Sequence, residues 1–106
     1  MPQVTPPPAV PEKGGLTQQQ KIVAEMCSNP DKQWWLPKDF MQGGQFFVGY
    51  EASARLSELQ SENPDMFESQ RNGRFIERRI VFENIDEWLP KAKTLKSVVG
   101  TYYKRG

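Results

Sequence analysis

The sequence FESQRNGRFIERRIVF, residues 67–82, carries four arginines around a single Asn-Gly pair. An Asn-Gly pair between two runs studded with apolar residues is a strong signal for a β-hairpin with a two-residue turn. With Asn72 and Gly73 as the turn, the expected cross-strand pairs are Arg71 with Arg74, Ser69 with Ile76 and Phe67 with Arg78. Alternation then puts four apolar side chains on one face: Phe67, Ile76, Ile80 and Phe82. Opposed like charges at the tip destabilise a hairpin, so they indicate an anionic partner.

The rest of the chain divides into three predicted parts. Its 106 residues are enough for one domain. Residues 1–15 hold five prolines and two glycines without a hydrophobic period, which predicts a disordered or polyproline-II-like arm. Residues 16–83 form the predicted domain, and residues 84–106 a basic and aromatic C-terminal extension.

The charge is unevenly distributed, although the net charge is only +1. Residues 1–65 have five lysines and arginines against eight acidic residues, whereas residues 66–106 have nine against five. A basic C-terminal part on a nearly neutral chain predicts a local anion-binding surface.

Few residues in the chain suit catalysis. There is no histidine, no glycine-rich phosphate loop after a strand and no pair of carboxylates in an apolar context. Cys27 is the single cysteine and lies in a helical pattern, so we expect a small buried apolar residue rather than a disulfide or metal ligand. The sequence therefore predicts no enzyme, no cofactor and no metal site.

The sequence also predicts no membrane-spanning helix and no signal peptide. No apolar run approaches the ~18 residues that a spanning helix needs. We expect a cytoplasmic or nucleoid-associated protein without a membrane partner.

A first helix is predicted over residues 16–28. Thr17 followed by Gln20 matches a capping box, and apolar residues recur at helical spacing after it. Asn29-Pro30 is expected to end it. QWWL, residues 33–36, is consistent with a short strand in which one tryptophan is buried. Pro37 then suits the start of a second helix over residues 37–42, which Gly43-Gly44 breaks.

A third helix is predicted over GYEASARLSELQSENP, residues 49–64. Ala52, Leu56 and Leu59 share a buried stripe at this spacing. A neighbouring face carries small and hydroxyl-bearing side chains: Tyr50, Ser53, Ala54 and Ser57. Near the C-terminus a single helical turn is expected around Trp88. The final basic and aromatic segment is predicted as an anion contact, an association element or a frayed end.

In this order of elements the chain resembles the winged helix-turn-helix superfamily, in its prokaryotic or phage-type members. The resemblance covers residues 16–82. It is carried by LTQQQKIVAEM, LPKDFM and GYEASARLSEL as the three helices and by FESQRNGRFIERRIVF as the hairpin, or wing. It implies an α+β fold with three helices, a short strand and a two-stranded wing.

The resemblance also implies double-stranded DNA as the partner, with the third helix in the major groove and the wing on a neighbouring groove or on phosphates. The contacts it assigns are Tyr50, Ser53, Ala54, Arg55, Ser57, Arg71, Asn72, Arg74, Arg78 and Arg79. A small transcriptional or phage or mobile-element regulator is the function that follows.

The sequence departs from this pattern at one place. The third helix carries one arginine against three glutamates, whereas a helix for the major groove usually carries two or more basic residues. This departure leaves open a winged-helix module for protein partners. A single-stranded nucleic-acid binder also stays open, because aromatic residues near positive charge could stack on bases: Trp34, Trp35, Phe75, Tyr102 and Tyr103. A homodimer also stays open.

Overall fold

The computed structural model of the chain describes residues 15–41 and 48–103. In these ranges the protein has an α+β fold with four α-helices and one two-stranded antiparallel sheet. The elements in chain order are α1 (Gln18–Ser28), α2 (Ala52–Glu62), β1 (Phe67–Asn72), β2 (Phe75–Ile80), α3 (Ile85–Trp88) and α4 (Lys96–Tyr102). Short 3₁₀ turns lie at Pro37–Phe40, Phe82–Asn84, Leu89–Lys91 and Lys93–Leu95. Residues 1–14 of the predicted arm and the predicted break at Gly43-Gly44 lie outside the described residues.

The start of α1 is the predicted capping box. The Thr17 hydroxyl accepts from the Gln20 amide at 3.1 Å, and the Gln20 side chain accepts from the Thr17 amide at 3.0 Å. Ile22 and Val23 are fully buried on the inner face of the helix, as is Cys27. Burial raises the pKa of the Cys27 thiol to about 12. A thiol with this pKa is not a nucleophile at neutral pH.

The predicted short strand is a single β-bridge between Trp35 and Arg78. The Trp35 amide donates to the Arg78 carbonyl oxygen at 2.8 Å, and the Arg78 amide donates back to Trp35 at 3.0 Å. Trp35 is the buried tryptophan of the pair, whereas Trp34 is half-buried. The bridge holds the segment that follows α1 against β2.

The second predicted helix is shorter than expected and is a 3₁₀ turn, Pro37–Phe40. The Phe40 carbonyl oxygen accepts from the amides of Val48 and Gly49, at 2.9 Å and 3.1 Å. It is therefore engaged by residues further along the chain, and an α-helix cannot propagate through it.

The predicted hairpin is present, but its predicted register is wrong. The turn consists of Gly73 and Arg74, so that Arg71 pairs with Ile76 and not with Arg74. Gly73 has a φ of 67°, which glycine adopts without steric cost, and it therefore takes the first turn position. The register differs by two residues, so every side chain keeps its predicted face. Arginines do not oppose each other across this turn.

The apolar face of the hairpin is buried at its base. Phe67 pairs with Ile80, and both are buried in the core. Ser69 pairs with Arg78 on the same side. Ile76 shares that side but lies near the tip and is 39% exposed. The hairpin is therefore buried and apolar where it meets the helices, whereas its exposed outer part carries arginines together with Phe75 and Ile76.

The C-terminal segment packs into the same core as the helices and the hairpin. Its buried residues are Ile85, Trp88, Ala92, Leu95, Val98 and Val99. The predicted turn around Trp88 is the helix α3. At the end of the described chain the ring of Tyr103 stacks on Phe82, with centroids 4.2 Å apart. The residues predicted as an extension therefore contribute directly to the fold.

Candidate functional site

The orientation of α2 agrees with the predicted stripe. Ala52, Leu56 and Leu59 are fully buried against the rest of the domain. The neighbouring face is turned to solvent, and we call it the outer face of α2: Tyr50, Ser53, Ala54 and Ser57. Tyr50, in the turn before the helix, is 94% exposed. This face is uncharged and, apart from the tyrosine, made of small side chains.

Arg55 belongs to a different side of α2. Its Nη2 lies 3.1 Å from Glu58 Oε2, and Glu58 Oε1 accepts from the Gln19 amide group at 3.0 Å. The Nε of Arg55 is buried and has no hydrogen-bond partner within the described residues. The charge of Arg55 is thus engaged where α1 meets α2, rather than on the outer face.

The tip of the hairpin, residues 71–74, carries two exposed arginines. Arg71 Nη1 makes one long hydrogen bond, 3.4 Å, to the Gly73 carbonyl oxygen. The Arg74 side chain makes no hydrogen bond or ion pair to any residue that the structure describes. Asn72 donates to Glu77 at 3.2 Å and is held along the hairpin. Both guanidinium groups at the tip are therefore accessible to an anion.

Arg78 points to the side of the hairpin that faces α2. Its Nε donates to Gln60 Oε1 at 2.8 Å, and its Nη2 donates to the Ser57 hydroxyl at 3.3 Å. Both acceptors are neutral, and no carboxylate of the described chain forms an ion pair with it. Partial burial lowers the pKa of Arg78, but an arginine stays protonated at neutral pH. Within the described residues, Arg78 is a positioned cation without a counter-charge.

Arg79 is the opposite case, although it is the next residue of β2. Its Nε lies 2.6 Å from Glu68 Oε1, and its Nη2 lies 2.7 Å from Glu83 Oε2. The guanidinium also lies over the ring of Trp34, 5.8 Å from its centroid. The hydrogen bond with Glu83 raises the pKa of Arg79. Two carboxylates therefore pair with the positive charge of Arg79. Glu68 links β2 to β1, and Glu83 links β2 to the residues that follow it.

A hollow of about 310 Å³ lies between α2 and the hairpin. It is lined mainly by Ser53, Ser57, Arg74, Phe75, Ile76 and Arg78. Its two charged lining residues are both arginines. The hollow therefore combines positive charge with hydroxyl groups, next to the exposed ring of Phe75.

The structure thus gathers part of the predicted set and separates the rest. Four of the ten predicted contacts line the hollow: Ser53, Ser57, Arg74 and Arg78. Arg55 and Arg79 are held elsewhere by glutamates.

Sequence reasoning missed Gln60 and did not include Phe75 among the predicted duplex contacts. Gln60 orients Arg78 and also donates to Ser69 at 3.2 Å. Its position three residues after Ser57, on one side of a helix, is the signal that could have found it. Phe75 was considered only for stacking on a single strand, although it lines the hollow beside the arginines.

Other classes of site receive no support from the described ranges, 15–41 and 48–103. They contain no cluster of three or more histidine, cysteine, aspartate or glutamate residues arranged for a metal ion. Their helices are all too short or too polar to cross a membrane.

The chain matches no known protein-family model, no curated protein sequence and no solved structure.

Proposed function

We propose that this chain is a winged helix-turn-helix domain that binds double-stranded DNA. In this proposal the outer face of α2 enters the major groove and the hairpin tip contacts phosphates or the adjacent minor groove. The observation that carries it is the pairing of an uncharged, small-residue helix face with hairpin arginines that have no carboxylate partner in the part of the chain that the structure describes. A small transcriptional or phage or mobile-element regulator is the role we infer for it.

The dimensions of α2 suit this proposal. Its 11 residues give a length of about 16 Å, at 1.5 Å per residue, and an α-helix fits the major groove of B-form DNA. The serine hydroxyls of the outer face can donate to or accept from base edges, and the Ala54 methyl can contact a thymine methyl. Small side chains let the helix backbone approach the bases closely.

The electrostatics of the hairpin provide the second support. Arg71 and Arg74 are exposed and without carboxylate partners among the described residues. Cations of this kind release counterions from DNA when they meet phosphates, and arginine is favoured in narrow minor grooves. Arg55 and Arg79 are predicted to add little to binding, because nearby carboxylates already match their charges.

A protein-binding module is the second candidate. The observation that favours it is the absence of a cation from the outer face of α2 together with the 94% exposure of Tyr50. Tyrosines are enriched among the residues that dominate protein interfaces. An acidic partner would then meet the arginines of the hairpin.

Single-stranded nucleic acid is less well supported. Trp35 is buried, Trp34 lies under Arg79 and Tyr103 is stacked on Phe82. Of the aromatic residues considered for base stacking, Phe75 at 57% exposure is the one with an open ring. A single stacking residue is a small platform for a single strand.

Fluorescence anisotropy separates the three candidates. A labelled mixed-sequence duplex and a single strand of equal length are titrated with the protein at several salt concentrations. We expect the duplex to bind more tightly, with an affinity that falls steeply as salt rises. Preference for the single strand would favour base stacking, and no binding to either at low salt would favour a protein partner.

A further inference from the structure

We infer that the hollow between α2 and the hairpin is a phosphate-binding site in which Arg74 and Arg78 hold one phosphate group. This inference rests on the proposed function, in which the phosphate belongs to the DNA backbone. It also assigns unequal roles to arginines that adjoin each other in the sequence.

The first argument is the charge of Arg78. Its side chain is half-buried and is oriented by Gln60 and Ser57, two neutral groups. Removing a cation from water without an adjacent anion is unfavourable. The neighbouring Arg79 shows how this chain neutralises an arginine that serves the fold, with two carboxylates. An anion bound in the hollow would supply negative charge to Arg78, as Glu68 and Glu83 do for Arg79.

The second argument is the chemistry of the lining. Arg74 lines the same hollow without a partner of its own within the described chain. An arginine guanidinium matches the geometry of phosphate oxygens with two parallel N–H groups. The hydroxyls of Ser53 and Ser57 can donate further hydrogen bonds to the same oxygens. The guanidinium of Arg74, the N–H groups of Arg78 that Gln60 and Ser57 do not engage and the two hydroxyls favour a group with several anionic oxygens. The DNA backbone presents such groups at regular intervals.

The third argument is location. The hollow lies between the outer face of α2 and the hairpin tip, and Ser53 and Ser57 belong both to its lining and to that face. A helix inserted in the major groove has backbone phosphates at the rim of the groove. A phosphate held in the hollow would therefore fix how deeply and at what angle α2 enters.

The variants Arg78→Gln and Arg79→Gln are a matched test, since each removes one charge from adjacent positions of one strand. We expect Arg78→Gln to weaken duplex binding about tenfold or more, the usual size of a lost charged hydrogen bond. The slope of log affinity against log salt should fall by about one. Arg79→Gln should leave both unchanged. The Arg78→Lys variant keeps the charge but loses the guanidinium that Gln60 and Ser57 orient, so it should retain the salt slope and lose affinity.

A second measurement applies if Arg78→Gln does not fold. In the wild-type protein, the Arg78 Nε–Hε resonance should shift on addition of the duplex and on addition of inorganic phosphate, but not of acetate. If the chemical shift of the Arg78 Nε–Hε resonance changes with neither the duplex nor phosphate, the proposed phosphate site is wrong.

The outcomes also separate this inference from the proposed function. If the wild type binds duplex and the Arg78 and Arg79 variants bind equally well, the phosphate site is wrong and DNA binding stands. If the wild type binds no duplex, DNA binding is wrong, and the phosphate titration decides the site alone. A phosphate-specific shift at Arg78 then supports a site for another phosphorylated ligand, and its absence rules the site out.

Discussion

The indole N–H of Trp88 donates to the carbonyl oxygen of Val81 at 2.7 Å. The bond joins α3 to the residue that directly follows β2, and the Trp88 ring is 2% exposed in the core. The C-terminal segment thereby holds the base of the hairpin in place. We therefore expect this contact to help position the hairpin part of the proposed DNA-binding surface.

Removing the Trp88 ring should therefore destabilise the whole domain. We expect Trp88→Ala to lower the free energy of unfolding by about 3–5 kcal/mol, the range for emptying a large aromatic site. Tyr50→Ala, which removes an exposed ring, should stay within about 0.5 kcal/mol of the wild type. Urea unfolding followed by circular dichroism measures both. Equal stabilities for the two variants would show that α3 is not part of the folded core.

Gly73 and Gly100 provide a matched pair for testing the turn. An added Cβ meets no atom within 4 Å at either position, but only Gly73 has a positive φ, 67°. We expect Gly73→Ala to cost about 1–2 kcal/mol, the penalty for an L-residue in this region. Gly100→Ala, inside α4, should gain up to about 1 kcal/mol. Thermal unfolding compares them, and a tolerated alanine at Gly73 would contradict the observed turn.

The pair of Glu83 and Arg79 should make stability depend on pH. The hydrogen bond from Arg79 lowers the pKa of Glu83 in the folded protein. A lowered folded pKa contributes stability above the unfolded value, about pH 4.3, and this contribution is lost as pH falls through the folded pKa. We expect the wild type to lose more stability than Glu83→Gln on acidification below about pH 4.5. The measurement is the urea midpoint at a series of pH values.

Arg79→Gln supplies the control for that experiment, because it removes the same hydrogen bond from the other side. Its loss of stability on acidification should therefore resemble that of Glu83→Gln. A wild-type pH profile identical to the profiles of both variants would show that this pair contributes nothing to stability.

Local signals in the sequence predicted much of the helical structure. The capping box of Thr17 and Gln20 depends on residues three apart, and the buried stripe of Leu56 and Leu59 depends on helical spacing alone. Such features need no tertiary information. The α+β composition follows from them together with the hairpin signal.

The hairpin register could not be derived in the same way. An Asn-Gly pair favours a turn with both residues at its centre, but here Gly73 and Arg74 occupy the two positions. Because the two registers differ by two residues, they bury the same face, so the apolar pattern of Phe67 and Ile80 fits both equally. The choice between them depends on backbone conformation at the turn.

The side-chain partners of the arginines could not be predicted from sequence patterns either. Arg78 and Arg79 look alike in sequence, yet one contacts Gln60 of α2 and the other Glu68 of β1. The first contact joins two elements that only the packed fold brings together. The second is a cross-strand pair of the hairpin and depends on the observed register. The short 3₁₀ turns before α4 likewise carry little periodicity, which left the C-terminal segment open to several interpretations.

The measurement that tests the proposed function most directly is the salt dependence of duplex binding by two double variants. Arg71→Ala with Arg74→Ala removes two charges from the hairpin tip. Lys91→Ala with Lys93→Ala removes two exposed charges beside Glu62 and Asn63, where α2 ends. We expect the hairpin variant to fold normally, bind duplex more weakly and lose up to about two from the log–log salt slope, one for each phosphate contact. The lysine variant should keep the wild-type affinity and slope. Unchanged affinity and slope in the folded hairpin variant, or an equal loss in both variants, would contradict DNA binding through the hairpin.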